Sequence, residues 1–201
     1  MNRKTRFFLI LLLCFTMVYA SAVFFFLRPA ASQPFIAFGV YSDKGTLSDY
    51  TPGAGLLVAP NETLNWHLQV FNRMGVIQLI RVVFRLGNTT STSPGQTGPA
   101  LAVPSLGTLE TFIPNEETAT LDFRWSFSSV DKRGGLVFPV LQINNGTQTL
   151  SEVGASQGKA FKFMFEIWTY NPDAGAFQYG WADGNAMRGN WLTVWFILQL
   201  P

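Results

Sequence analysis

The chain has 201 residues, of which 48% are hydrophobic and 15% aromatic. Charged residues make up 13%, about half the usual quarter, which excludes a disordered chain. One Cys and one His exclude an internal disulfide framework and a Cys-based zinc site, and a formal net charge of +2 gives no strong field for nucleic acid.

Arg3, Lys4 and Arg6 open the chain, and residues 7–27 then run without a charge. As a helix rising ~1.5 Å per residue, that run spans the thickness of a bilayer's hydrocarbon core. Arg28 and Pro29 close it, with a charge at the far interface and a residue that resists helix continuation. The basic cluster places the N-terminus in the cytoplasm and everything beyond the helix outside. A cleaved signal peptide is the rival reading. Ala20-Ser21-Ala22 fits the small-residue cleavage pattern and Ala30-Ala31-Ser32 is a poorer site, but the apolar run exceeds the ~7–15 residues of a signal core. The expectation is therefore a basic cytoplasmic start (1–6), a transmembrane signal anchor (7–27), a short linker (28–34) and an extracytoplasmic domain (35–201). Cys14 follows three leucines, which suits a lipid-facing apolar residue and not a lipidation site. Four of the fourteen basic residues flank the anchor. Ten then face twelve acidic ones outside, a net charge of −2.

Beyond the anchor the period is two. Leu64, Trp66, Leu68 and Val70 alternate with polar residues, and 72–75 form a turn. Residues 76–86 place Val76, Ile80, Val82, Phe84 and Leu86 on one face. The range 87–107 is rich in Thr, Ser, Pro and Gly and reads as a long loop. Ala119, Leu121, Phe123, Trp125 and Phe127 mark the clearest strand. Phe161, Phe163, Phe165 and Ile167 alternate with Lys162, Met164, Glu166 and Trp168 in another. Weaker strands are expected at 34–41, 55–58, 135–143 and 191–200, with turns at 144–146 and 171–175. The last strand is apolar on both faces, which suits a central strand or an interface. About eight or nine strands without a domain-splitting linker predict a mainly β fold, an immunoglobulin-like β-sandwich behind one transmembrane helix. A barrel or jelly roll is the alternative.

Chemical motifs are sparse. Gly154-Ala155-Ser156-Gln157-Gly158 has the form of a hydrolase nucleophile elbow, yet His67 precedes the serine and no helix is expected after it. His67 sits on a polar strand face without nearby ligand companions. Glu116 and Glu117 read as a solvated turn. Asp122, Glu166, Asp173 and Asp183 offer no favoured catalytic pair. Trp181-Ala182-Asp183-Gly184-Asn185 lacks the alternating oxygens of a calcium loop. No catalytic residue, metal or cofactor is expected. Asn61, Asn88 and Asn145 head N-glycosylation triplets in expected turns and loops. Aromatics crowd the last thirty-odd residues. Tyr179, Trp181, Trp191 and Trp195 are the candidate partner-binding side chains if they are not core.

Three features together resemble small exported proteins commonest in archaea, with one N-terminal transmembrane helix and an immunoglobulin-like outer domain. They are the basic-then-apolar start (3–27), the strand pair at 64–72 and 76–86, and the Phe165-Glu166-Ile167-Trp168-Thr169-Tyr170-Asn171 strand and turn. The resemblance lies in architecture and transfers no functional residue. It implies an accessory or structural role at the cell surface. The expected function is a non-enzymatic, membrane-anchored accessory subunit or scaffold, with membrane or surface proteins as partners and no nucleic acid. The alternatives are a free-standing adhesive, filament or glycan-binding module and, third, an enzyme.

Overall fold

The computed structural model describes residues 2–27, 33–51, 56–184 and 186–200. Contacts divide the chain into two units, Met1–Gln33 and Pro34–Pro201. The first is a single helix, α1 (Arg3–Leu27), with no Pro or Gly inside it. Its two central hydroxyls are satisfied internally: Thr16 Oγ1 donates to Leu13 O (2.9 Å) and Ser21 Oγ to Met17 O (2.8 Å). The stretch Arg3–Phe24 is long and apolar enough to cross a membrane.

The second unit is built of strands. In chain order they are β1 (Phe35–Tyr41), β2 (Leu57–Val58), β3 (Leu64–Arg73), β4 (Gln78–Gly87), β5 (Ser105–Ile113), β6 (Glu117–Arg133), β7 (Leu136–Ile143), β8 (Thr149–Leu150), β9 (Ala155–Ser156), β10 (Phe161–Asn171), β11 (Ala176–Tyr179), β12 (Trp181–Asp183), β13 (Ala186–Arg188) and β14 (Trp191–Leu198). One sheet runs β1-β3-β6-β7-β8, with β9 also on β7. The other runs β2-β14-β10-β4-β5, with β11 also on β10. Strands β12 and β13 form a separate ribbon. Every pairing between these strands is antiparallel except β2 with β14.

This order is immunoglobulin-like. The first strands, β1 and β2, are divided between the sheets, β3 neighbours β6, and β14-β10-β4 form the heart of the opposite sheet. One departure is plain. The strand beside β6 is β7, which follows it through a two-residue turn at Gly134 and Gly135, both at positive φ (56° and 80°). In immunoglobulin domains the corresponding neighbour precedes it.

The inward faces of both sheets meet in one aromatic cluster. Trp66 from β3, Phe123 and Trp125 from β6, and Phe163, Phe165 and Phe196 from the opposite sheet are all at most 1% exposed. Phe163 is central. Its ring centroid lies 4.8 Å from Trp125, 5.3 Å from Phe123, 5.3 Å from Phe196 and 5.8 Å from Trp66. Trp66 Nε1 donates to Tyr50 O at 2.8 Å, so its polar edge is satisfied.

Two expectations are corrected. The loop expected to end at Gly107 ends earlier, because β5 begins at Ser105. Leu106 sits in a register break between Gly107↔Phe84 and Ser105↔Arg85. Its apolar partner on the strand is therefore Leu109, three residues on, and the period of two that marks a strand is broken. A Cβ on Gly107 would lie 2.6 Å from Phe84 Cζ, so the ring packs where only glycine fits. The strand expected from Val76 begins at Gln78 instead. Val76 and Ile77 lie in the preceding turn, 59% and 61% exposed. Buried Asn72 fixes that turn: its Nδ2 donates to Val76 O and Ile113 O, both at 2.8 Å.

Phe163→Ala should cost about 3–5 kcal/mol. Urea unfolding of the full-length protein in mild detergent, followed by Trp fluorescence, checks this. A loss under ~1 kcal/mol would mean that the two sheets do not depend on this ring.

Candidate interaction surfaces

The outer face of strand β10 was expected to alternate with its apolar inner face. It is buried instead: Lys162 is 3% exposed, Met164 0% and Glu166 0%. What covers it is the segment 88–104. Ala100 and Val103 pack on Met164. Glu166 Oε1 accepts from Arg85 Nε (3.1 Å) and from the Ala100 backbone N–H (2.7 Å), while Oε2 accepts from Trp168 Nε1 (3.2 Å). Arg85 also donates to Val103 O. Lys162 Nζ donates to Ser91 O and Ser93 Oγ, both at 2.8 Å. The long polar loop is thus a strap, and a buried ion pair plus a buried ammonium fasten it to the sheet. Burial holds the Lys162 amine below its ordinary pKa. A buried pair of this kind adds little net stability but penalises any arrangement that separates its members.

The remaining titratable candidates lie apart. His67 and Asp122 are register partners on β3 and β6 and share a 2.8 Å hydrogen bond through Nδ1 and Oδ1 on an exposed face. Asp183 pairs with Arg188 (3.1 Å). Asn185 lies outside the described residues. Ser156 ends the two-residue strand β9, and a turn with Gln157 and Gly158 at positive φ follows, not a helix. Glu116 and Glu117 are exposed at the β5–β6 connection. Among the described residues no three His, Cys, Asp or Glu side chains gather into a metal-binding group.

The four late aromatics are placed differently from one another. Tyr179 is 8% exposed and its hydroxyl donates to Gly95 O (2.8 Å), another strap contact. Trp181 is half-buried against the main core. Trp191 is half-buried on β14. Trp195 is the most open of the four, at 38% exposure, with Lys162 Nζ 5.1 Å from its ring centroid. Strand β14 is thus core on one face, through Val194, Phe196 and Leu198, and partly open on the other.

The three glycosylation triplets also differ. Asn61 and Asn145 are exposed in turns at positive φ. Asn88 is half-buried and committed: Nδ2 donates to Gly154 O (2.8 Å) while Oδ1 accepts from Thr90 and Ser91. Nearby, a cleft of about 360 Å³ opens between the free edges of the two sheets, floored by Leu86, Leu106, Leu141, Ile143 and Val153. The register break at Leu106 and the fastening of the strap could not be read from the chain. Both depend on pairings between residues distant in sequence.

No protein-family model matches the chain, and no curated protein matches it in sequence. Among solved structures, one that it resembles is the CARDB domain of the PF1109 protein from Pyrococcus furiosus, solved in complex with di-metal ions. The two are 8% identical over 84% of this chain and 90% of that one, with a TM-score of 0.38. The immunoglobulin-like assignment stands on this chain's own strand order.

Tyr179 gives a pH signature. Burial first, and then the Glu166 charge, push its phenol well above the usual value of 10.0. The folded state therefore keeps the proton where the unfolded chain releases it. That stability is fully present below pH 10 and is lost as pH rises above it, by up to ~1.4 kcal/mol per pH unit. Unfolding measured from pH 8 to 11 should show Tyr179→Phe less stable than wild type at pH 8, with the gap narrowing above pH 10. A constant gap would contradict the buried phenol.

Proposed function

We propose that this protein is a non-enzymatic, membrane-anchored extracytoplasmic accessory subunit or scaffold of a membrane or cell-surface complex. The observation that carries the reading is α1, a single apolar helix with a basic start, joined to a rigid sandwich. The helix is retained, with the N-terminus in the cytoplasm and the sandwich outside. The buried charges support a structural role, because Arg85, Glu166 and Lys162 are all engaged in holding the strap. The β14 outer face supports a partner surface through Trp195, flanked by Leu57 at 47% exposure. A glycan-stacking platform has less support, since Tyr179 is buried and Trp181 packs on the core. The inter-sheet cleft is what favours the second reading, a free-standing binding module.

Glycosylation belongs to the same reading. In a host with an N-glycosylation system, Asn61 and Asn145 should carry glycans and Asn88 should not, because its amide nitrogen is already bonded to Gly154 O. Peptide mapping of the exported protein checks this, and full occupancy at Asn88 would contradict it. The intact mass of the membrane-extracted chain should include residue 2. A mature start at Val23 or Gln33 would refute the anchor. Trp195→Ser should weaken association with membrane partners while leaving the urea midpoint of the domain nearly unchanged. A large drop in the midpoint would assign Trp195 to the core instead.

A further inference from the structure

One end of the sandwich gathers apolar side chains that the core does not use. Phe35, which opens β1, is the register partner of Arg73 at the end of β3. The β3–β4 turn, the β5–β6 connection and the β10–β11 turn all lie at this same end, since Gln78 pairs with Ile113, Asn72 with Glu117, and Ile80 with Thr169. Here Val76 is 59% exposed, Ile77 61% and Phe112 66%. Phe112 pairs with Leu79, the second residue of β4, and Val76 and Ile77 lie in the turn that leads into that strand, so all three belong to this end. The turn that presents them is rigid. Asn72 Nδ2 ties Val76 O to Ile113 O, and Gly75 N donates to Asn115 Oδ1 at 2.7 Å. Three large apolar side chains held open in this way would gain free energy from burial against an apolar surface.

The covalent chain points to which surface. Residue 35 enters the sandwich at this end, and only seven residues (28–34) separate it from Leu27, the last residue of α1. The eight Cα-to-Cα steps from residue 27 to residue 35 reach at most about 29 Å when fully extended. The covalent tether to α1 is therefore attached at the end that carries Val76, Ile77 and Phe112. Charge narrows the lipid class. Exposed Glu116, Glu117 and Asp173 outnumber Arg73 here, which disfavours a strongly anionic surface.

We propose that Val76, Ile77 and Phe112 form a lipid-docking tip that seats the sandwich on the zwitterionic outer surface of the membrane holding α1. The proposal rests on the retained-anchor reading above. In it, α1 supplies the tether and the tip fixes the tilt of the domain, so that the faces at right angles to it stay open to partners.

Full-length protein reconstituted in phosphatidylcholine bilayers tests this with nitroxide spin labels. One label goes on native Cys14. Others go on Ile77→Cys, Phe112→Cys and Leu47→Cys, each in a Cys14→Ser background. Leu47 is 63% exposed in the loop after β1, at the far end, and serves as the aqueous reference. All three substituted side chains are exposed, so core packing is untouched. At 14, 77 and 112, collisions with oxygen should exceed those with a water-soluble nickel chelate, and at 47 the order should reverse. If 14 reports lipid while 77 and 112 report water, the docking tip is overturned and the anchor stands. If 77 and 112 are shielded from both reagents, a protein contact covers the tip and lipid docking is overturned. If 14 itself reports water, the anchor reading fails and the docking proposal fails with it.

Discussion

Strand β10 is buried on both faces, and the rest of the sandwich is arranged around that fact. On its inner face Phe163 meets rings from both sheets, with no disulfide to hold them together. Such a cluster replaces one covalent tie with several aromatic contacts, each modest beyond its area but all lost together if the ring is removed. On its outer face Glu166 accepts from the strap and from Arg85. The two faces call for different chemistry. Apolar packing joins the sheets without directional demands, whereas the buried carboxylate fixes one position for the strap, because any other would strand a charge.

The features legible in the sequence were those carried by local periodicity. The alternation at 64–70, 119–127 and 161–167 marks β3, β6 and β10, because half-buried strands write their inner face into every second residue. The apolar run of α1 was equally plain. Two strand boundaries were not. A break in register at Leu106 hides the start of β5, and Val76 extends an apolar pattern that the backbone does not follow. The outer face of β10 read as polar alternation because Lys162 and Glu166 are charged. Their burial depends on a strap whose own sequence shows only turn-forming residues. For the candidate surface residues, the chain could nominate Tyr179, Trp181, Trp191 and Trp195 by type. Only the fold separates Tyr179, locked under the strap, from Trp195, on the open face of β14.

What remains available for function lies at the periphery of this rigid body. The polar outer face of the β1-β3-β6 sheet, with His67 against Asp122, is solvated. The strap closes much of the opposite outer face and leaves Trp195 and Leu57 beside it. The entry end presents Val76, Ile77 and Phe112. On the proposed reading, a small domain with this distribution positions other molecules. Its well-fixed core maintains the geometry of its edges, and the edges carry the specificity.

The measurement that bears most directly on this account is the mass of the native assembly, extracted from its own membrane in gentle detergent. The account predicts a chain that still contains its helix, in stoichiometric association with other membrane or surface proteins. A lone chain that begins after α1 and is recovered without membrane extraction would contradict it.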